Sequence, residues 1–157
     1  MRILVECFGD NLFIRKLGYG IDPDHFAISN VASRMIKMYR DERVLGIIDN
    51  DLEAVPTYFR EFIELKQIHS VIFLKHKSED RYLIKINRDF EEFILRIEKE
   101  AKVKPFRKTK NLLKAITKKS SITVNKRFIK HLEMLIDKNP TSIAFLKSCI
   151  EEALKAQ

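Results

Sequence analysis

Glu6 closes a short apolar run, Arg2-Ile-Leu-Val-Glu6, and Asp49, Asp51 and Glu53 alternate directly after a second one, Val44-Leu-Gly-Ile-Ile48. In a doubly wound sheet, ligands bind beyond the carboxyl ends of the strands, where strand ends and helix N-termini converge. Acids at these places are therefore candidates for chemistry. If the two strands are neighbours, Glu6 and the Asp49/Asp51 pair meet within roughly 5 Å, and each carboxylate pair repels by about 3 kcal/mol at an effective dielectric near 20. A cation must offset that repulsion. Convergent carboxylates are hard oxygen ligands, suited to Mg2+ or Mn2+ rather than zinc. The four histidines, His25, His69, His76 and His131, show no ligand spacing. Lys75 or Lys77, at the carboxyl end of the apolar run Val71 to Leu74, is a candidate catalytic cation for stabilising negative charge that develops in a transition state.

The elements that must position these residues alternate between strand and helix in the first half. Arg2 to Cys7 reads as a buried strand, Asp10 to Leu17 as a helix with Asp10 as its N-cap, and Gly18 and Gly20 as its end. His25 to Ile28 suits a brief strand, and Asn30 to Tyr39 a helix. Val44 to Ile48, continuously apolar between charged flanks, predicts a central strand buried on both faces, hence a parallel sheet. Pro56 opens a helix to about Lys66, with Phe59, Phe62, Ile63 and Leu65 on its apolar side. Val71 to Leu74 is a strand, and Arg81 to Ile86 its hairpin partner across the polar turn Lys77 to Asp80. From Asp89 the period is helical: Phe90, Phe93, Ile94 and Ile97; Leu112, Leu113 and Ile116; Phe128, Leu132, Leu135 and Ile136; then, beyond Asn139-Pro140, Ile143, Leu146, Ile150 and Ala153. These patterns predict an α/β core over residues 1–88 and a basic helical extension packed on it over residues 89–157.

At 157 residues, 45% hydrophobic and 33% charged, the chain suits one compact domain with an appendage and is neither disordered nor large enough for a modular machine. Cys7 and Cys149 lie at opposite ends, which leaves no disulfide framework and no cysteine zinc site. No signal peptide and no apolar run of about 18 residues is present, so a soluble cytoplasmic protein is expected. The net charge of +8 is unevenly spread: the first 95 residues carry 14 Lys/Arg against 16 Asp/Glu, and the rest carry 16 against 6. A basic segment on a near-neutral body points to a polyanion, with nucleic acid the usual partner of a soluble protein. Lys102, Lys104, Arg107, Lys108, Lys110, Lys114, Lys118 and Lys119 would hold its backbone electrostatically, with strong salt dependence and little sequence preference.

Val5-Glu6-Cys-Phe-Gly-Asp10, followed about 40 residues later by Gly46-Ile-Ile-Asp49-Asn-Asp51, resembles the Toprim domain. That family is shared by topoisomerases, bacterial primases, the ribosomal-RNA maturation nuclease and the overcoming-lysogenization-defect nucleases, and it places a glutamate after the first strand and Asp-x-Asp after a later one. The resemblance covers about Met1 to Ile86. It implies a Rossmann-like, mostly parallel sheet flanked by helices. It also implies that Asp49 and Asp51 bind a divalent metal, with Glu53 as third acid, and that Glu6 is a metal ligand or the acid/base. The chain departs from the family where Cys7, not glycine, follows Glu6, and where no glycine follows Glu53. It has no room for a strand-passage gate and lacks a primase zinc module, so a small stand-alone nuclease-like member is what the resemblance implies. Phe90-Glu91-Glu-Phe93 is similar to a Phe-Glu-x-aromatic pattern of some small Toprim-like proteins.

This reading predicts Mg2+-dependent phosphodiester hydrolysis on DNA or RNA: metal on Glu6, Asp49 and Asp51 lowers the pKa of a bound water and stabilises charge on the phosphate oxygens. A second copy of the chain or a partner ATPase is compatible with this reading. The competing expectation is a non-catalytic nucleic-acid or protein-binding module with the same fold and an idle acidic pocket. A phosphoacceptor receiver domain fits worse, because it needs an adjacent acid pair at the first site. P-loop, dinucleotide-binding and nucleophile-elbow motifs are missing, which removes nucleotide-driven motors, dinucleotide oxidoreductases and esterases.

Overall fold

The computed structural model describes residues 1–22, 27–50, 55–117, 122 and 125–155. β1 (Arg2–Val5) leads into α1 (Phe8–Lys16), then α2 (Ile28–Lys37) and β2 (Val44–Asn50). A 3-10 turn (Thr57–Glu61) precedes β3 (Phe62–Ile68), β4 (Val71–His76) and β5 (Arg81–Asn87). Four helices follow: α3 (Phe90–Glu100), α4 (Lys110–Thr117), α5 (Lys126–Lys138) and α6 (Thr141–Lys155).

The five strands form one sheet in the order β1-β2-β5-β4-β3. β1, β2 and β5 run parallel, with Val5 opposite Ile47 and Asp49 opposite Ile86, whereas β4 is antiparallel to both β5 and β3. The sheet is therefore mixed, half of its pairings antiparallel, where the sequence predicts mostly parallel ones. The cause is connection length: only His69 and Ser70 separate β3 from β4, and a chain that short can make only a hairpin. β2 is an inner strand, but the middle place belongs to β5.

Alternation sorts the strand residues onto two faces. Ile3, Val5, Leu45, Ile47, Phe73, Ile84 and Ile86 pack with Phe13 of α1, Phe93 and Ile97 of α3, Leu132 of α5 and Leu146 and Ile150 of α6. Leu4, Val44, Ile48, Leu74 and Leu83 pack instead with Val31 and Met35 of α2 and with Phe59. A helix-sheet-helix sandwich results. Gly46 lies close beneath α2, where a methyl would stand 3.3 Å from Val31 and 3.4 Å from Met35, and 3.0 Å from Leu83 of the neighbouring strand. Among the described residues no helix is long and apolar enough to cross a membrane.

Three local expectations are corrected. The segment from Pro56 to Lys66 is not a helix but the 3-10 turn followed by the edge strand β3. Phe59 and Phe62 do bury, while Ile63 and Leu65 stay exposed, so the helical spacing of these four residues was incidental; pairing with β4 decides the conformation. The N-cap of α1 is Cys7, not Asp10. Ile28 opens α2 rather than ending a strand, and Pro23 to Phe26 lie outside the described residues.

Candidate functional site

The carboxyl ends of β1, β2 and β5 are neighbours at one edge of the sheet, and each delivers acids there. Glu6 directly follows β1; its backbone N–H continues the ladder to Ile47 O at 3.1 Å, and its carboxylate accepts from Asp49 N–H at 2.9 Å. The hydrogen bond closes the distance between two motifs that the sequence separates. Asp49 itself is the next-to-last residue of β2, and so is held by the ladder rather than by a loop.

Three further acids arrive at helix N-termini. Cys7 caps α1 by accepting Asp10 N–H on its sulfur at 3.3 Å, and its thiol lies 3.1 Å from Asp10 Oδ2 as donor. Asp10 is thereby turned inward and is 1% exposed. After β5, Arg88 at φ 70° turns the chain into α3, which Asp89 caps by accepting from Glu92 N–H at 3.0 Å. Glu91, also buried, accepts from the Thr117 hydroxyl of α4. Gly9 and the Phe90 ring touch where the two helix starts meet, a contact no side chain at Gly9 would allow.

The electrostatic result is carboxyls whose proton affinity is raised. Burial first, then the charges of Asp10, Glu6, Asp89 and Glu91, push Asp49 up to about 9. Burial, with Glu6 and Glu91 behind it, raises Asp10 to about 7 despite the opposing bond from Cys7. The Cys7 thiol is pushed well up by burial and by Asp10 and Asp49, so it is not an activated nucleophile. Asp10 Oδ1 and Asp49 Oδ1 are buried with no hydrogen-bond partner among the described residues. Buried acceptors left this way cost roughly 1–3 kcal/mol each unless something else meets them.

Only some of the expected site residues come together. Glu6 and Asp49 do; Asp51 and Glu53 lie outside the described residues, as do Lys118 and Lys119. Among the described residues no group of three His, Cys, Asp or Glu is arranged to hold a metal ion. The donor chemistry fits a hard divalent cation, with two orphaned carboxylate oxygens, but the described residues alone do not close a ligand set. Lys75 and Lys77 are not at the site. β4 runs antiparallel to β5, so its carboxyl end points to the opposite edge; Lys75 pairs with Tyr82, four residues and about 13 Å along β5 from the row of Asp49 and Ile86. Lys75 Nζ sits instead over the Tyr82 ring at 5.6 Å.

Of the basic run, Lys102, Lys104, Arg107 and Lys108 are exposed on the connection between α3 and α4. Lys110 bridges Asp89 at 2.5 Å and Glu92 at 3.0 Å, and Lys114 lies 4.0 Å from Asp89, so α4 brings two lysines to the rim of the acids. Asp89 and Glu91 are site residues that the sequence spacing does not single out, and Asp10, expected chiefly as a helix cap, joins the buried acids instead. The available signal was Glu91 and Glu98 seven residues apart on the apolar stripe of α3, where both prove buried. Comparison with protein families, curated proteins and solved structures finds no match for this chain.

Proposed function

We propose that the protein is a Toprim-like, Mg2+- or Mn2+-dependent nuclease, hydrolysing phosphodiesters of DNA or RNA at the edge where β1, β2 and β5 end. One observation carries the reading: Asp49 and Asp10 are buried together beside Glu6, with raised proton affinity and an unmet oxygen each. A divalent cation on Glu6 and Asp49 relieves this, because it replaces the Asp49 proton, meets Asp49 Oδ1 and offsets the repulsion from Asp10. In this proposal Glu6 and Asp49 hold the ion, Asp51 adds the third carboxylate from the adjoining residues, and Glu53 supports it. The bound ion would supply a more acidic water and a counter-charge for the phosphate. Glu6, fixed by the Asp49 N–H at 2.9 Å, would also orient that water. Lys110 and Lys114 supply positive charge next to Asp89, where an incoming phosphate needs it.

The test is titration of the EDTA-treated protein with MgCl2 or MnCl2, followed by thermal melting, beside incubation with plasmid, single-stranded DNA and structured RNA. The wild type is expected to melt higher with metal and to cleave, and Asp49→Asn and Asp51→Ala to lose at least 100-fold of cleavage, on the order of one lost transition-state charge contact. Cleavage equal in wild type and both variants, or no metal response at millimolar concentration, overturns the nuclease and leaves a non-catalytic binding module.

A further inference from the structure

Beside the acids, the outward stripe of α3 forms a groove of about 530 Å³ with a surplus of positive charge. Arg88, Arg96, Lys99 and Lys110 line it against Glu92 and Glu100. The two acids are engaged already: Glu92 with Arg88 at 3.3 Å and Lys110 at 3.0 Å, Glu100 with the Ser142 N–H at 2.9 Å and hydroxyl at 2.6 Å. Arg96 and Lys99 are exposed, three residues apart on one helix face, and no described carboxylate pairs with either. Their charge is available.

A second, independent feature points the same way. Ser70, in the turn between β3 and β4, lines this groove and is only 8% exposed, and its Oγ is buried just beneath the surface without a hydrogen-bond partner among the described residues. A buried hydroxyl donor next to free cations suits a phosphate oxygen. Register places this end of the groove on the site's edge of the sheet: Val71, following Ser70, pairs with Ile86, and Ile86 pairs with Asp49. Two strand spacings put that row about 10 Å from Asp49. The other end begins at Arg88, immediately before Asp89. α3 is 11 residues long, about 16 Å, long enough to follow a short stretch of one strand.

We infer that this groove carries the sugar-phosphate backbone of a nucleic-acid strand, with Arg96 and Lys99 as phosphate contacts and Ser70 Oγ as a hydrogen-bond donor, leading it past Arg88 to the carboxylates. The inference rests on the nuclease reading for the purpose of the track, but not for its existence. Exposed Lys104, Arg107 and Lys108 on the neighbouring connection are secondary to it.

Binding of a fluorescein-labelled oligothymidylate is measured in EDTA over a series of KCl concentrations, so that no cleavage intervenes. Arg96→Ala with Lys99→Ala is expected to flatten the slope of log affinity against log salt by about 1.4 and to weaken binding roughly 25-fold near 0.1 M salt, from about 0.7 of slope per phosphate contact on a single strand. Ser70→Ala is expected to weaken binding with the slope unchanged, since it removes no charge. Circular dichroism melts equal to wild type establish that the variants fold. An unchanged slope in the double variant, or the same loss appearing instead in Lys104→Ala/Arg107→Ala/Lys108→Ala, overturns the groove. Either result is independent of the metal: lost oligonucleotide binding without any Mg2+ or Mn2+ response keeps the groove and removes the nuclease, and normal binding with metal-dependent cleavage does the reverse.

Discussion

Asp49 shows how a single residue can report on a site. A carboxyl pushed to about 9 binds a proton in the folded chain that it has released, above about pH 4, in the unfolded one. The folded state then holds more protons than the unfolded, so stability is full below about pH 4 and declines as pH rises to about 9, at up to about 1.4 kcal/mol per pH unit for one proton. Asp10, at about 7, adds to the same decline over the lower part of that window. Urea unfolding in EDTA from pH 5 to 9 is expected to show stability falling with pH in wild type, and a shallower fall in Asp49→Asn, whose amide does not titrate. Equal pH slopes in the two proteins would mean that the carboxyls are not crowded as described. Cys7 belongs to the same argument: its sulfur caps α1 where a serine would serve, and its neutral thiol adds no charge to an already acidic spot.

At the level of elements, the edge of the sheet away from the site is fixed by one buried cation. Arg81, at the start of β5 and 3% exposed, donates to Met35 O, to Arg40 O at 2.8 Å and to Tyr39 O at 3.3 Å, closing the C-terminal end of α2, and also to the Tyr58 hydroxyl at 2.9 Å. Glu79 balances its charge at 3.1 Å. Arg81→Ala takes the donor away from Met35 O of α2 and from the Tyr39 and Arg40 carbonyls just beyond it and removes the ion pair to Glu79, and is expected to lower unfolding free energy by roughly 3 kcal/mol. Arg81→Lys is expected to recover only part of it, because one ammonium cannot span carbonyls and hydroxyl together. Chemical denaturation of the two variants checks this; equal stability of Arg81→Ala and wild type would show that α2 ends without help. The same logic explains why β3 could not be read locally: its spacing suits a helix, and only the open edge of β4 selects a strand.

The whole molecule depends on the helices of its second half. The sheet face bearing Ile3, Val5, Leu45, Ile47 and Ile84 is covered by α1, α3, α5 and α6, and Phe13 of α1 packs edge-on against Phe90 and Phe93 at 6.1 and 5.6 Å. Residues 1–88 alone would keep only α1 on that face and expose the rest of it to water. They are expected to give no cooperative thermal transition by circular dichroism, whereas the full chain melts in one step. A sharp transition in the fragment would show that the α/β half is self-sufficient. Helix α3 links this covering layer to function, with its N-terminal acids in the site, its inner stripe in the core and its outer stripe along the groove.

Local pattern was enough to determine that an α/β sheet has β1 and β2 buried, that helices fill the chain after Asp89, and that Glu6 and Asp49 stand at strand ends, because apolar periodicity and the reversal from apolar to acidic are properties of neighbouring residues. Tertiary structure decided that β5 takes the middle of the sheet, that Asp10, Asp89 and Glu91 join Glu6 and Asp49, and that Lys75 and Lys77 face the opposite edge. Those outcomes turn on strand order and direction, which hairpin length and the burial of a shared face set among residues far apart in the chain.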